Sequence, residues 1–181
     1  MKILVIGSGM MGSAAAFDMA RTSEVNAVTL ADSDTMRARE VAARVNRMTG
    51  AKKVRAVPLD ASDEKAAARI MRGHDAALSA VPYFLNLGLA RAAVEARCHF
   101  ADLGGNNTVV REELALSKKA EKLGVAIAPD CGLSPGMASI LGGELVRDSA
   151  AAPMPSGCTL VDCRPGPLRR FTINSFSRSK A

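Results

Sequence analysis

The chain has no tryptophan, one tyrosine and five phenylalanines among its 181 residues. Nucleic-acid surfaces interleave basic side chains with aromatic stacking platforms, so this shortage argues against a nucleic-acid partner. Histidine is scarce as well, with His74 and His99 alone. Neither stands in an evident relation to Cys131, so a Cys-His nucleophile is not expected there. The four cysteines, Cys98, Cys131, Cys158 and Cys163, show neither a paired disulfide framework nor metal-ligand spacing. The expectation is a cytoplasmic protein with reduced thiols and no metal. No apolar run approaches the ~18 residues of a membrane-spanning helix, so no membrane partner is expected. The opening Met1-Lys2-Ile3-Leu4-Val5-Ile6 lacks a basic leader region and is soon interrupted by Gly7, Gly9 and Gly12. A secretory leader is therefore not expected either.

What is present suits a folded chain. Hydrophobic residues make up 48% and charged residues 23%, close to the globular average and far from the composition of disorder. The length fits one domain of the usual ~100–200 residues with little left over. The net charge of +6 is unevenly spread. Residues 1–150 carry 19 Lys/Arg against 17 Asp/Glu, whereas residues 151–181 carry Arg164, Arg169, Arg170, Arg178 and Lys180 against Asp162 alone.

Short apolar strands alternate with helical patterns, the order of a parallel α/β sheet. The β-branched run Lys2–Ile6 and the short apolar runs Ala27–Ala31, Val54–Leu59, Ala76–Ala80, Phe100–Leu103 and Val125–Ala128 read as six strands. Helices are expected at about Met11–Arg21, after Ser33 or Asp34, Asp60–Met71 with Asp63 as cap, Leu85–Ala96 and Arg111–Leu123. Ser134 as cap with Pro135 at the first helical position would open a last helix over Met137–Val146. This pattern predicts a Rossmann NAD(P)-binding fold, a doubly wound parallel sheet, followed by an irregular C-terminal tail. The domain is expected to span 1–148, and the aperiodic stretch 149–181 to be poorly ordered.

Gly7-x-Gly9-x-x-Gly12 directly follows a strand and opens a helix. Gly7 permits a tight turn, Gly9 lets the backbone approach a diphosphate, and Gly12 lets helix and strand pack closely. The backbone of Ser8, Met10 and Met11 would present N–H groups to that diphosphate at the positive helix end. Asp32, 20 residues beyond Gly12, ends the second strand, where a carboxylate accepts from ribose hydroxyls and repels a 2′-phosphate. Arg37 and Arg39 lie on the following helix rather than at the strand end. NAD is therefore expected in preference to NADP. Asp60 and Ala61, after the third strand, read either as adenine-side contacts or as an ordinary turn.

Ligands of open α/β sheets sit at the carboxyl ends of strands, which draws in three later segments. Ala80-Val81-Pro82 would pass the nicotinamide half of a cofactor, and Gly104-Gly105 suggests close approach by a ligand. Asp102 and Asp130, at the ends of the fifth and sixth strands, could orient an amine or relay a proton. Both also read as turn-stabilising residues.

The Gly7–Gly12 turn with Asp32, Leu85-Asn86-Leu87, His99-Phe100-Ala101-Asp102-Leu103-Gly104-Gly105 and Pro129-Asp130-Cys131-Gly132-Leu133-Ser134-Pro135-Gly136 together resemble the saccharopine dehydrogenase family. Within that family the likeness is to the lysine 6-dehydrogenase type. The resemblance runs in order from Met1 to about Asp148. It implies an NAD(P)-dependent oxidoreductase acting on the carbon–nitrogen bond of an amino acid, by hydride transfer to nicotinamide and hydrolysis of the imine. It also implies an amino-acid substrate, and a homodimer in full-length members. Those members carry a second domain that supplies substrate and dimer contacts. Residues after about Gly157 do not continue the family pattern, so a truncated second domain is expected. A non-catalytic dinucleotide-binding regulatory domain would share the glycine turn and Asp32. It would give no reason for the segments around Asp102 and Asp130.

Overall fold

The computed structural model describes residues 1–134, 136–148, 157–161 and 170–174. The chain forms two compact units, Met1–Gly136 and Met137–Ala181. In the first, six strands, β1 (Lys2–Ile6), β2 (Ala27–Asp32), β3 (Val54–Pro58), β4 (Ala76–Ser79), β5 (His99–Asp102) and β6 (Ile127–Ala128), form one sheet in the order β3-β2-β1-β4-β5-β6. Every pairing is parallel. Strand order reverses between β1 and β4, the switch point at which open sheets leave a crevice.

The helices are α1 (Met10–Arg21), α2 (Thr35–Thr49), α3 (Glu64–Met71), α4 (Asn86–Ala96), α5 (Asn107–Leu114) and α6 (Ser117–Lys122). A short 3₁₀ turn at Tyr83–Leu85 precedes α4. Period-two side chains send alternate residues of each strand to opposite faces. Ile3, Val5, Val28 and Leu30 accordingly pack with Ala16, Val41 and Val45 on one side of the sheet. Leu4, Ile6, Ala77 and Phe100 pack with Met71, Leu89 and Ala93 on the other. Covering both faces is why the strands are continuously apolar instead of alternating. Each fully buried Leu or Ile contributes roughly 1.5–3 kcal/mol.

The expected caps are present. Asp34 accepts from the Arg37 amide, and Asp63 from the Ala66 amide. The helix expected over Arg111–Leu123 is instead two helices. Asn106 starts α5 early by accepting from the Thr108 and Val109 amides. The Leu116 amide then bonds to Glu113 O three residues back, which tightens the turn and breaks the run.

In the second unit the structure describes α7 (Met137–Asp148) and two antiparallel strands, β7 (Gly157–Val161) and β8 (Arg170–Asn174). The start expected at Ser134–Pro135 falls on Pro135, outside the described residues. Aperiodicity predicts no element beyond 149, yet Cys158-Thr159-Leu160 and Phe171-Thr172-Ile173 pair. Such β-branched and aromatic triplets are too short to register as a period. The rest of that stretch lies outside the described residues. Among the described residues no helix is long and apolar enough to cross a membrane.

Candidate functional site

The crevice at the switch point has a volume of about 280 Å3. Eight of the residues expected to hold a cofactor line it: Gly7, Gly9, Asp32, Asp60, Ala61, Ala80, Val81 and Pro82. Gly7 adopts a φ of +99°, open to glycine and strained for other residues, and its amide donates to Ala31 O. A Cβ on Gly12 would collide with the Gly7 carbonyl oxygen, so α1 can start this close to β1 only with glycine there. Gly9 is the N-cap of α1, and no side chain caps the helix at that end. A Cβ on Gly9 would meet nothing within 4 Å. Uncapped amides at a positive helix end, beside a glycine whose Cβ position is open, are the elements from which an anion site can be built.

The remaining expected cofactor residues fall elsewhere. Met10 and Met11 project into solvent, 91% and 56% exposed, so only their backbone can contribute. Ser8 is buried outside the crevice lining, its hydroxyl engaged with Asp32. Gly104 and Gly105 lie beyond β5, outside the crevice lining.

Asp32 is the most heavily hydrogen-bonded carboxylate of the site. Its Oδ2 accepts from the Ser8 amide at 2.6 Å, from Ser8 Oγ at 2.7 Å and from Arg37 Nη2 at 3.2 Å. Its Oδ1 accepts from the Asp34 amide at 2.9 Å. Burial alone would raise its pKa, but the bonds from Ser8, Asp34 and Arg37 outweigh that and hold it at about 2. Arg37 was the residue that sequence reasoning set aside. It sits in the first turn of α2, where side chains lean back toward the helix N-terminus. Its guanidinium thereby reaches both Asp32 and Ser8 Oγ and joins the crevice lining. Asp60 accepts from the Ser62 amide and hydroxyl, which lower its pKa.

The later strand ends form a second group. Ser79 Oγ donates to Asn86 Oδ1 at 2.7 Å, and both are buried. This ties the start of α4 to the end of β4 and accounts for the Leu85-Asn86-Leu87 motif. Asp102 is completely buried, and its Oδ1 accepts from the Gly104 amide at 2.6 Å and the Asp130 amide at 3.3 Å. The Cys131 amide donates to the Asp102 carbonyl. Asp130 has a left-handed φ of 58°, tolerated by Asp better than by most residues, and accepts from the Gly105 amide. Gly104, with φ +74°, has no room for a Cβ beside Asp130 Oδ1. Asp102 and Asp130 are thus brought together, with Asp130 the more accessible of the two.

Cys131 Sγ lies against Ala128 O and Pro129 O. Burial first, then the charges of Asp102 and Asp130, push its pKa up and keep it a thiol. The histidines are engaged elsewhere. His74 Nδ1 donates to Ile70 O and its Nε2 accepts from Thr29 Oγ1. His99 Nδ1 accepts from the Ala126 amide. Glu113, which sequence reasoning did not single out, is completely buried on α5. No signal in the sequence distinguishes it from its exposed neighbours Arg111 and Glu112.

A family model described as the saccharopine dehydrogenase NADP binding domain matches residues 3–128. The chain belongs to this family. Residues 3–128 are its NAD(P)-binding domain, and the family is one of oxidoreductases. Among solved structures, the apo saccharopine dehydrogenase (L-Glu forming) of Saccharomyces cerevisiae is 21% identical with a TM-score of 0.65. That match covers 83% of this chain and 32% of the yeast protein, so the chain spans about a third of its length. The quinate dehydrogenase of Corynebacterium glutamicum, in complex with NAD, is 23% identical with a TM-score of 0.52. It covers 70% of this chain and 43% of its own. A UDP-N-acetylglucosamine 3-dehydrogenase of Acidithiobacillus ferrooxidans is 22% identical with a TM-score of 0.53, covering 79% and 43%. At these identities the likenesses show a shared Rossmann fold.

Proposed function

We propose that this saccharopine dehydrogenase family domain binds NAD in preference to NADP and serves oxidation at the carbon–nitrogen bond of an amino acid. Supporting this reading is one juxtaposition. Gly7, Gly9 and Asp32 line the switch-point crevice together with Ala80, Val81 and Pro82, while the turns after β5 and β6 are tied to each other through Asp102 and Asp130.

The residues present fit a nicotinamide dinucleotide. Gly9 leaves the cradle open, the α1 amides are uncapped, and Asp32 is an ionised carboxylate at the lip. The Gly7–Gly12 backbone would hold the diphosphate, Asp32 the adenosine ribose, Asp60 and Ala61 the adenine side, and Ala80, Val81 and Pro82 the nicotinamide side. The cofactor supplies a hydride acceptor for the carbon bearing the amine. Asp130, the accessible carboxylate, would orient the amine and take its proton, and Asp102 would anchor Asp130. Water then replaces nitrogen at the resulting imine carbon, and ammonia or an amine leaves.

The preference for NAD rests on charge. Asp32 repels a 2′-phosphate, and Arg37 offsets this in part, so NADP binds more weakly without being excluded. Calorimetric titration of the full chain with NAD and NADP, followed by an amino-acid panel watched at the NADH absorbance, tests both halves. NAD binding tighter than NADP supports the assignment of Asp32, and tighter NADP binding would refute it. NADH formed with one amino acid identifies the substrate class. Tight NAD binding with no turnover on any amine, even in a protein carrying the family's second domain, would favour a regulatory dinucleotide-binding role.

A further inference from the structure

Glu113 is the buried residue of α5, with no exposed surface. Neither of its carboxyl oxygens has a hydrogen-bond partner among the described residues, and Asp102 Oδ2 has none either. The two carboxyl groups bear directly on one another. Two buried carboxylates side by side, neither of them ion-paired among the described residues, cannot both stay ionised. The two ion pairs found among the described residues, Arg37–Asp32 and Arg72–Glu95, lie elsewhere. One proton shared by the pair gives the orphaned Oδ2 of Asp102 a partner. The proton belongs on Glu113, because Asp102 already accepts two backbone N–H bonds that favour its anion.

We propose that Glu113 is a positioning residue: a permanently buried carboxylic acid that donates its O–H to Asp102 Oδ2. So held, Asp102 keeps its Oδ1 on the amides of Gly104 and Asp130 and locks together the loops after β5 and β6. The consequence for turnover rests on the functional reading of those loops given above. The clamp itself stands on the burial and unpartnered oxygens of the pair and on the backbone bonds of Asp102. Among the described residues the charged and titratable groups around Glu113 are few. Asp102 and Asp130 face it from the strand ends, and Cys131 lies beside those two aspartates. Glu121 and Ser117 of α6 line the same surface depression as Glu113. Arg91 and Glu95 of α4, the helix packed on α5, are exposed.

Burial, then the charge of Asp102, pushes the Glu113 pKa up to about 8. The folded chain therefore holds a proton that the unfolded chain releases near pH 4.5, so raising the pH across this window disfavours the fold. Glu113→Gln keeps a donor toward Asp102 and removes the titration. Urea unfolding of both full-length chains should show the wild-type unfolding constant rising, relative to the variant, by up to tenfold per pH unit between about 4.5 and about 8. It should level off above that. The backbone amide signals of Gly104 and Asp130 in the folded wild type should titrate near the Glu113 midpoint, at about pH 8, and stay fixed in Glu113→Gln. Parallel pH profiles, or amides that do not titrate, would overturn the proposal. If Glu113→Gln does not fold, isotope-edited infrared spectroscopy of the wild type decides. A glutamic-acid C=O band present at pH 6 and lost above pH 8 supports the clamp, and its absence at pH 6 refutes it. None of these readouts needs a cofactor, so failure to bind NAD and failure of the clamp are separable.

Discussion

Asp32 and Asp102 occupy equivalent places, each the last residue of a parallel strand and each buried, yet their surroundings drive them in opposite directions. Asp32 gathers two amides, a hydroxyl and a guanidinium, and stays ionised down to about pH 2. Asp102 has two amides on one oxygen and a second acid against the other, and burial raises its pKa. Position in the fold does not fix what a carboxylate does. The donors that neighbouring turns supply decide it. The β1–β3 side thereby presents a fixed negative charge at the lip of a crevice. The β4–β6 side uses its acid internally, to hold two loops.

Removing the internal acid should have the largest effect. Asp102→Ala strands the Gly104 and Asp130 amides and leaves Glu113 without an acceptor, for a loss of about 3 kcal/mol by urea unfolding. An unchanged midpoint would dissolve the contrast with Asp32. Asp32→Ala comes next, with NAD affinity falling roughly 10- to 100-fold and the discrimination against NADP lost, read by calorimetry. The same carboxylate fixes the acid limb of stability. Its folded pKa lies below the usual 3.8, so its contribution is full above that value and is lost as pH falls toward about 2. Asp32→Ala should flatten that limb without touching the alkaline side, which belongs to Glu113. The smallest effect is expected for Arg37→Ala, with NADP affinity down by roughly tenfold and NAD affinity changed less than about threefold. An equal loss for both cofactors would show that Arg37 contacts the nucleotide in common rather than its 2′-phosphate.

The order of elements, the glycine turn and Asp32 were legible because they rest on local rules, such as period-two apolar runs and backbone geometries open only to glycine. Arg37 was not, because its relevance depends on a side chain leaning back one helical turn, which linear distance from the strand end conceals. Glu113 was hidden for a related reason. An acid in the middle of a helix reads as a solvated face until the packing shows it completely buried. The split of α5 from α6 turns on a single tightened bond at Leu116, beyond the reach of an apolar period. Asp102 was legible as a position, while its second backbone donor, Asp130, and its acid neighbour, Glu113, come from a turn and a helix further along the chain.

A crystal of the full chain soaked in NAD puts the central claim to its most direct test. The account places the diphosphate against the backbone amides from Gly7 to Gly12 and the adenosine ribose within hydrogen-bond distance of Asp32, with Arg37 displaced to its side. Dinucleotide bound elsewhere on the molecule, or a crevice still bridged by Arg37 and Asp32 at saturating NAD, would contradict it.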